Sequence, residues 1–297
     1  MLTAVPFMGD PRAARDRAIA WMNRGHALLV KDGDPALAGA LEDYNEAIAL
    51  LRPLPLGENP EWANSLGAAL MNRGQLLHRL HGLDRTALAL AAFDEAERVL
   101  RPLPAQENPW PRRNLAGTLV NRANLLLDLG VLSAAASDAS DGLILTAPHE
   151  RADLVDADLA LKARRALGDA LGRLLVEPGA DQDALARQAS DVVDDALELI
   201  RYWQGKSADS FRLLALRFFR YGTQLYRFHQ PHFLAEFIEE NLSAQDPEFQ
   251  AVALEAIEAA LADVPAPGQF LVAGEPATER RRQAWQDLTA LRARLIS

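Results

Sequence analysis

Two pairs of histidines, His78 with His81 and His229 with His232, sit three residues apart. That spacing can set two imidazoles on one helical face, as a transition-metal site needs. Two imidazoles alone are a weak metal signal, and Pro231 puts a turn between the members of the second pair. Both pairs are therefore read as surface or core histidines. Asp191, Asp194, Asp195 and Glu198 recur at helical spacing. They carry the oxygen ligands of a divalent-cation site, but a solvated helix face is the plainer reading. The chain has no cysteine, so thiolate nucleophiles and disulfides are excluded. It has no Walker loop, Gly-x-Ser-x-Gly elbow, dinucleotide fingerprint or His-Glu-x-x-His. The expectation is a protein with no catalytic residue, metal or cofactor.

The sequence instead repeats itself. Asn23-Arg24-Gly25 returns 49 residues later as Asn72-Arg73-Gly74 and again as Asn121-Arg122-Ala123. Asp10-Pro11, Asn59-Pro60 and Asn108-Pro109 keep the same offset. A period of this length marks a stacked-repeat architecture, which works through an extended surface. Each Asn-Pro follows a Pro-rich extended connector and reads as an N-cap with proline in the first helical turn. The first helix of each unit then carries a stripe with a small residue inside it: Trp21, Gly25, Leu28; Leu70, Gly74, Leu77; Leu119, Ala123, Leu126. A glycine repeated inside a helix implies that something packs too close for a side chain. The second helix supplies Ala40, Tyr44, Ala47 and Pro53, then Ala89, Phe93, Ala96 and Pro102, then Ala135, Ala139, Gly142 and Pro148 after a three-residue deletion.

Composition agrees. Apolar residues make up 49% of 297, much of it Ala and Leu, while Val, Ile and Thr are scarce, so sheet is not expected. A net charge of −10 argues against a general nucleic-acid or membrane-surface binder. The amino-terminal residues lack a signal-peptide pattern, and no run of 18 apolar residues exists, so the expected compartment is the cytoplasm with no membrane span.

Trp21, Gly25, Leu28, Ala40, Tyr44, Ala47 and Pro53, with Gly74, Leu77, Ala89, Phe93, Ala96 and Pro102, resemble the tetratricopeptide repeat pattern. The family's usual unit is shorter, and the excess here lies in the connector, a longer first helix and a wider turn. The resemblance implies an all-α fold, a right-handed α-solenoid of stacked antiparallel helix pairs. The units are read as 10–53, 59–102, 108–148, 153–203 and 207–242, with C-terminal helices and a cap over 246–297, in one domain. Arg24, Arg73 and Arg122 recur beside the small position, and Glu46, Glu95 and Asp141 recur on the second helix, suggesting a ladder of cross-helix ion pairs. Asn23, Asn72 and Asn121 are read as backbone-bonding.

The resemblance also implies a concave groove lined by the first helices, holding an extended peptide or a partner's helix. Its positions here include Ile19, Met22, His26, Leu29 and Val30; Ala68, Met71, Gln75, His78 and Arg79; Gly117, Val120, Asn124, Leu127 and Asp128; and Leu216, Phe219, Thr223, Tyr226 and Arg227. The surface is mixed apolar and polar, with Arg79 and Arg227 suited to an acidic residue on the partner. Residues 202–237 hold ten of the nineteen Phe, Trp and Tyr residues, together with several arginines. Such enrichment marks either a binding hot spot or a widening core. The functional expectation is a non-catalytic protein–protein interaction scaffold. A peptide- or ligand-responsive regulator is the second reading. Partner identity and oligomeric state are not written in the sequence.

Overall fold

The long helices start where the sequence writes Asp-Pro or Asn-Pro. In a computed structural model, helix α1 (Pro11–Leu29), α3 (Pro60–Arg79) and α5 (Pro109–Asp128) each follow such a pair. The structure describes residues 10–29, 34–104, 108–177, 179, 181–204, 216, 219, 220, 222, 223, 234–241, 246–263 and 276–296. At all three starts a side-chain oxygen caps the second helical N–H: Asp10 accepts from Arg12 at 2.9 Å, Asn59 from Glu61 at 2.8 Å and Asn108 from Trp110 at 3.0 Å. The capping residues Asn59 and Asn108 are extended, and proline occupies the position whose N–H has no helical partner.

The partner helices are α2 (Asp34–Leu51), α4 (Leu83–Leu100) and α6 (Leu132–Thr146), the last running into a 3-10 turn, Ala147–His149. The remaining elements are α7 (Leu154–Leu174), α8 (Gln182–Gln204), α9 (Leu234–Asn241), α10 (Pro247–Asp263) and α11 (Pro276–Ile296). The fold is all-α, a helical repeat, and no strand occurs among the described residues. The chain divides into two compact units, residues 1–166 and 167–297.

In the first unit the helices pair antiparallel. Gly67 lies against Leu100 and, about two turns on, Gly74 lies against Phe93; later residues of α3 meet earlier residues of α4. Gly25 faces Tyr44 and Leu28 faces Gly39 in the same sense. A Cβ on Gly74 would stand 2.6 Å from the Phe93 ring, and one on Gly25 3.0 Å from the Tyr44 ring. The close neighbour is thus an aromatic side chain of the partner helix. Ala40, Tyr44, Ala47, Ala89, Phe93 and Ala96 are all fully buried. The large side chain and the small residues around it interdigitate at close-packed density.

Successive pairs then stack through the long helices. Met71 of α3 sits over Gly117 of α5, and the Asn114 amide of α5 donates to Asn64 of α3 at 2.9 Å. Leu66, Ala69 and Leu76 on α3, and their counterparts Leu115, Thr118 and Leu125 on α5, are buried. The same positions on α1 are Arg17, Ala20 and Ala27, of which both alanines are exposed. The outer face of α1 has therefore lost the large apolar groups that inner repeats bury.

In the second unit, Phe219 stacks on Phe237 with centroids 5.9 Å apart and tilts against Phe249 at 5.2 Å. All three are buried. The described part of the aromatic-rich segment is therefore core; Tyr202 and Trp203, half-buried, meet edge to face at its margin. Helix α11 buries Ala284, Leu288 and Leu291 and packs on α9 and α10, with Arg292 reaching Glu258 at 3.0 Å and Arg294 bound to Glu239.

Candidate functional site

The recurring arginine takes a different partner from the one its spacing suggested. The Gly25–Tyr44 contact sets the register of α1 on α2, so the residue before the glycine lies over the residue before the tyrosine. Arg24 accordingly forks onto Asp43, donating from Nε at 2.7 Å and from a second nitrogen, while Glu46, one turn further on, is exposed. Arg122 likewise forks onto Asp138 at 2.7 and 2.8 Å, not onto Asp141. In the middle pair the carboxylate position is Ala92, so Arg73 does not pair with Glu95 and instead donates to Asn45 of the preceding pair at 2.8 Å. Arg122 makes the equivalent reach to Asp94, also at 2.8 Å.

Glu95 and Asp141 belong to a second, exposed set. They receive the connector arginines Arg52 and Arg101, at 2.7 Å and 3.4 Å. The hydrogen bonds that Arg24 donates to Asp43 and Arg122 to Asp138 raise the two guanidinium pKa values against the cost of burial. Arg73, with no forked carboxylate, is instead pushed down by desolvation and by the charge of Arg52. Burial, then the charge of Asp43, pushes the Tyr44 hydroxyl up to about 12. These groups hold helices together.

The expected groove positions separate into three groups. Met22 is buried in the α1–α2 core, and Thr223 is buried and donates to the Arg220 carbonyl at 2.8 Å. Neither can line a surface. Met71 and Asn124 are committed to contacts between helices: Met71 over Gly117, and Asn124 donating to the Val120 carbonyl at 2.9 Å while accepting from Arg165 of α7 at 2.7 Å. The cause is common: these positions point along the stack toward the next long helix. His26, Gln75, Arg79 and Asp128 are exposed, and Leu29 and His78 half-buried. His26 meets Tyr44 edge-on at 5.7 Å, and His78 bonds Asp128 across α3 and α5 at 2.7 Å. Tyr226 and Arg227 lie outside the described residues, as do His229 and His232. His78 faces Asp128 and not His81, and no cluster of three metal-ligating side chains occurs among the described residues.

The asparagines depart from expectation in the other direction. Asn23, Asn72 and Asn121 make no side-chain hydrogen bond to any described residue, although backbone bonding was anticipated. At about 100° per residue, a position two before the buried small residue lies about 160–200° from it, facing away from the partner helix. Asn23 is exposed, and Asn72 and Asn121 are half-buried. The recurrence of one amide in all three repeats was the signal; a free amide on an outward face is its structural meaning. Gln75, one turn beyond Asn72, and Arg79 extend that face with groups bound to no described residue.

No protein-family model matches the chain, and no curated protein sequence matches it. Among solved structures it is similar to a tetratricopeptide repeat protein from Parabacteroides merdae, at 15% identity, covering 92% of this chain and 99% of that one with a TM-score of 0.34. It is also similar to a de novo designed helical repeat protein, at 16% identity, covering 97% and 98% of the two chains with a TM-score of 0.27.

Proposed function

We propose that this chain is a non-catalytic protein–protein interaction scaffold that holds an extended segment of a partner on the outward face of α1, α3 and α5. The observation that carries the reading is the set of free amides, Asn23, Asn72 and Asn121, one on each long helix. A carboxamide both donates and accepts, so it can pair with the N–H and C=O of an extended backbone whatever the partner's side chains. Packed helices lie about 8–10 Å apart, close to three residues of extended chain at roughly 3.3 Å each. An extended segment crossing the stack would therefore meet one amide about every third residue. His26, Gln75 and Arg79 flank that line and supply selectivity, with Arg79 suited to an acidic side chain. The tetratricopeptide-like pattern of small and aromatic residues supports the same reading, with units near 10–53, 59–102 and 108–148 presenting the surface.

The test is affinity capture from the source cell with the wild-type chain and with the triple variant Asn23→Ala/Asn72→Ala/Asn121→Ala. The variant should keep its helicity and melting temperature and lose the captured partners. Retention of the same partners by a folded triple variant would overturn the proposal.

A further inference from the structure

The helix stack in the first unit is held by two kinds of seam. Between α3 and α5 the contacts are apolar or uncharged at depth, with Met71 over Gly117 and Asn64 bonded to Asn114. Between α5 and α7 they include a buried ionic cluster. Asp156 of α7, 1% exposed, receives both arms of Arg112 at 2.7 and 3.0 Å and two nitrogens of Arg113 at 3.3 and 2.9 Å. Arg112 also donates to the Leu145 carbonyl at 2.8 Å, and Arg113 reaches Asp153 at 2.6 Å. Nearby, Arg164 of α7 forks onto Glu150 in the turn after α6, at 2.6 and 3.1 Å, with both residues buried.

The arginine pair is unique among the long helices of the repeats. The residues 49 positions before Arg112 and Arg113 are Ala63 and Asn64 on α3, and a further 49 before are Ala14 and Arg15 on α1. The rest of that face is similar on the two helices: Gly117 of α5, which lies beside Leu159 of α7, has Ala68 as its counterpart on α3, and Asn124, which accepts from Arg165 of α7, has Gln75. A chain built from near-copies has an assembly problem. An incoming helix, from the same chain or a second copy, finds a similar uncharged surface at these positions on α3 and on α5.

We infer that the Arg112–Arg113–Asp156 cluster is a docking key that fixes the order of the repeats and excludes exchange of α7 between copies of the chain. Seated on α5, the Asp156 carboxylate meets two guanidinium groups. Seated on α3, it would be buried beside Ala63 and Asn64 with no cation, and an unpaired buried charge is strongly destabilising. Apolar contacts bring the helices together; the charges decide which face receives α7.

The experiment refolds the full-length chain from denaturant and reads its size by chromatography with light scattering. The wild type returns to the single species from which it started. The uncharged variant Arg112→Met/Arg113→Leu/Asp156→Leu keeps its helical circular dichroism but loses the single peak, splitting into two or more species as α7 exchanges. A second variant, Asn64→Arg, leaves the native key intact and gives α3 the counterpart of Arg113. It too should refold into more than one species. If the uncharged variant does not regain helicity, Asn64→Arg decides alone. Return of either folded variant to the wild-type single peak would overturn the proposal.

Discussion

The α3–α5 seam and the α5–α7 seam join similar helices by different physics. The first uses a flexible thioether over a glycine and a neutral amide pair. The hydrogen bond between His78 and Asp128 lies at its rim, with the carboxylate largely in water. The second buries a carboxylate between two arginines. An apolar seam is generic, because any face of the right shape fits it. A buried ionic seam is selective, because removing one member strands the others. The contrast teaches where substitutions should be tolerated and where they should not.

The largest effect is expected at Asp156. Asp156→Ala leaves Arg112 and Arg113 facing each other without their shared carboxylate, and breaking a buried pair this way costs about 3–5 kcal/mol. Urea unfolding should show a lowered midpoint or a separate early transition in which α7 undocks. An unchanged midpoint would mean that the seam is not ionic in solution.

Acid should act on the same seam. Burial alone would raise the Asp156 carboxyl, but hydrogen bonds from Arg112 and Arg113, with their charges, outweigh it and hold the pKa below its ordinary value. Asp153, desolvated but bonded to Arg113 and to the Val155 and Asp156 amides, is held low as well. A carboxyl with a depressed folded-state pKa contributes stability that is present above the ordinary carboxylate range and lost as pH falls through the folded value. Stability measured by urea midpoint should therefore fall more steeply on acidification below about pH 4 in the wild type than in Asp156→Ala. Parallel curves would contradict that assignment.

Much of the architecture was legible in the sequence, because it lies in what repeats. The Asn-Pro starts, the glycines and the aromatic of the second helix fix each pair by local capping and by close packing, both of which act within one unit. The arginine–carboxylate pairing was legible in sign and not in partner. Asp43 and Glu46 lie three apart on one helix, and only the Gly25–Tyr44 register decides which of them Arg24 meets. Aligning repeats is blind to the Arg112–Arg113–Asp156 cluster, since no other unit carries arginine at both aligned positions. The groove list failed at Met22 and Thr223 because helical spacing gives a face, whereas burial depends on which neighbours cover it. Asn23, Asn72 and Asn121 were visible as a pattern, but that their amides are unbonded requires the surrounding side chains.

A smaller effect separates two glycines of the first unit. At Gly117 an added Cβ meets the Met71 sulfur at 3.0 Å, an unbranched side chain able to swing aside. At Gly74 it meets the Phe93 ring at 2.6 Å inside a closed core. Alanine gains about 1 kcal/mol over glycine in helix propensity, while overpacking costs about 1–3 kcal/mol. Gly117→Ala should thus be neutral or slightly stabilising, and Gly74→Ala destabilising by about 1 kcal/mol, read as opposite shifts in melting temperature. Equal losses at both sites would show the α3–α5 seam to be as rigid as a pair core.

The smallest effect belongs to the exposed connector pairs. Arg52 and Glu95 approach to 2.7 Å with the arginine side chain 57% exposed, so water and salt screen the attraction and two long side chains lose rotamer freedom. Glu95→Gln keeps the packing and one acceptor and removes only the charge. It should change stability by about 0–1 kcal/mol, and that difference should vanish in 1 M salt, where the screening length is only about 3 Å. Asp156→Ala should keep its deficit in the same salt, because ions do not reach a buried carboxylate. If salt erased both deficits alike, the α5–α7 cluster would be solvated, and the distinction between a generic and a selective seam would collapse.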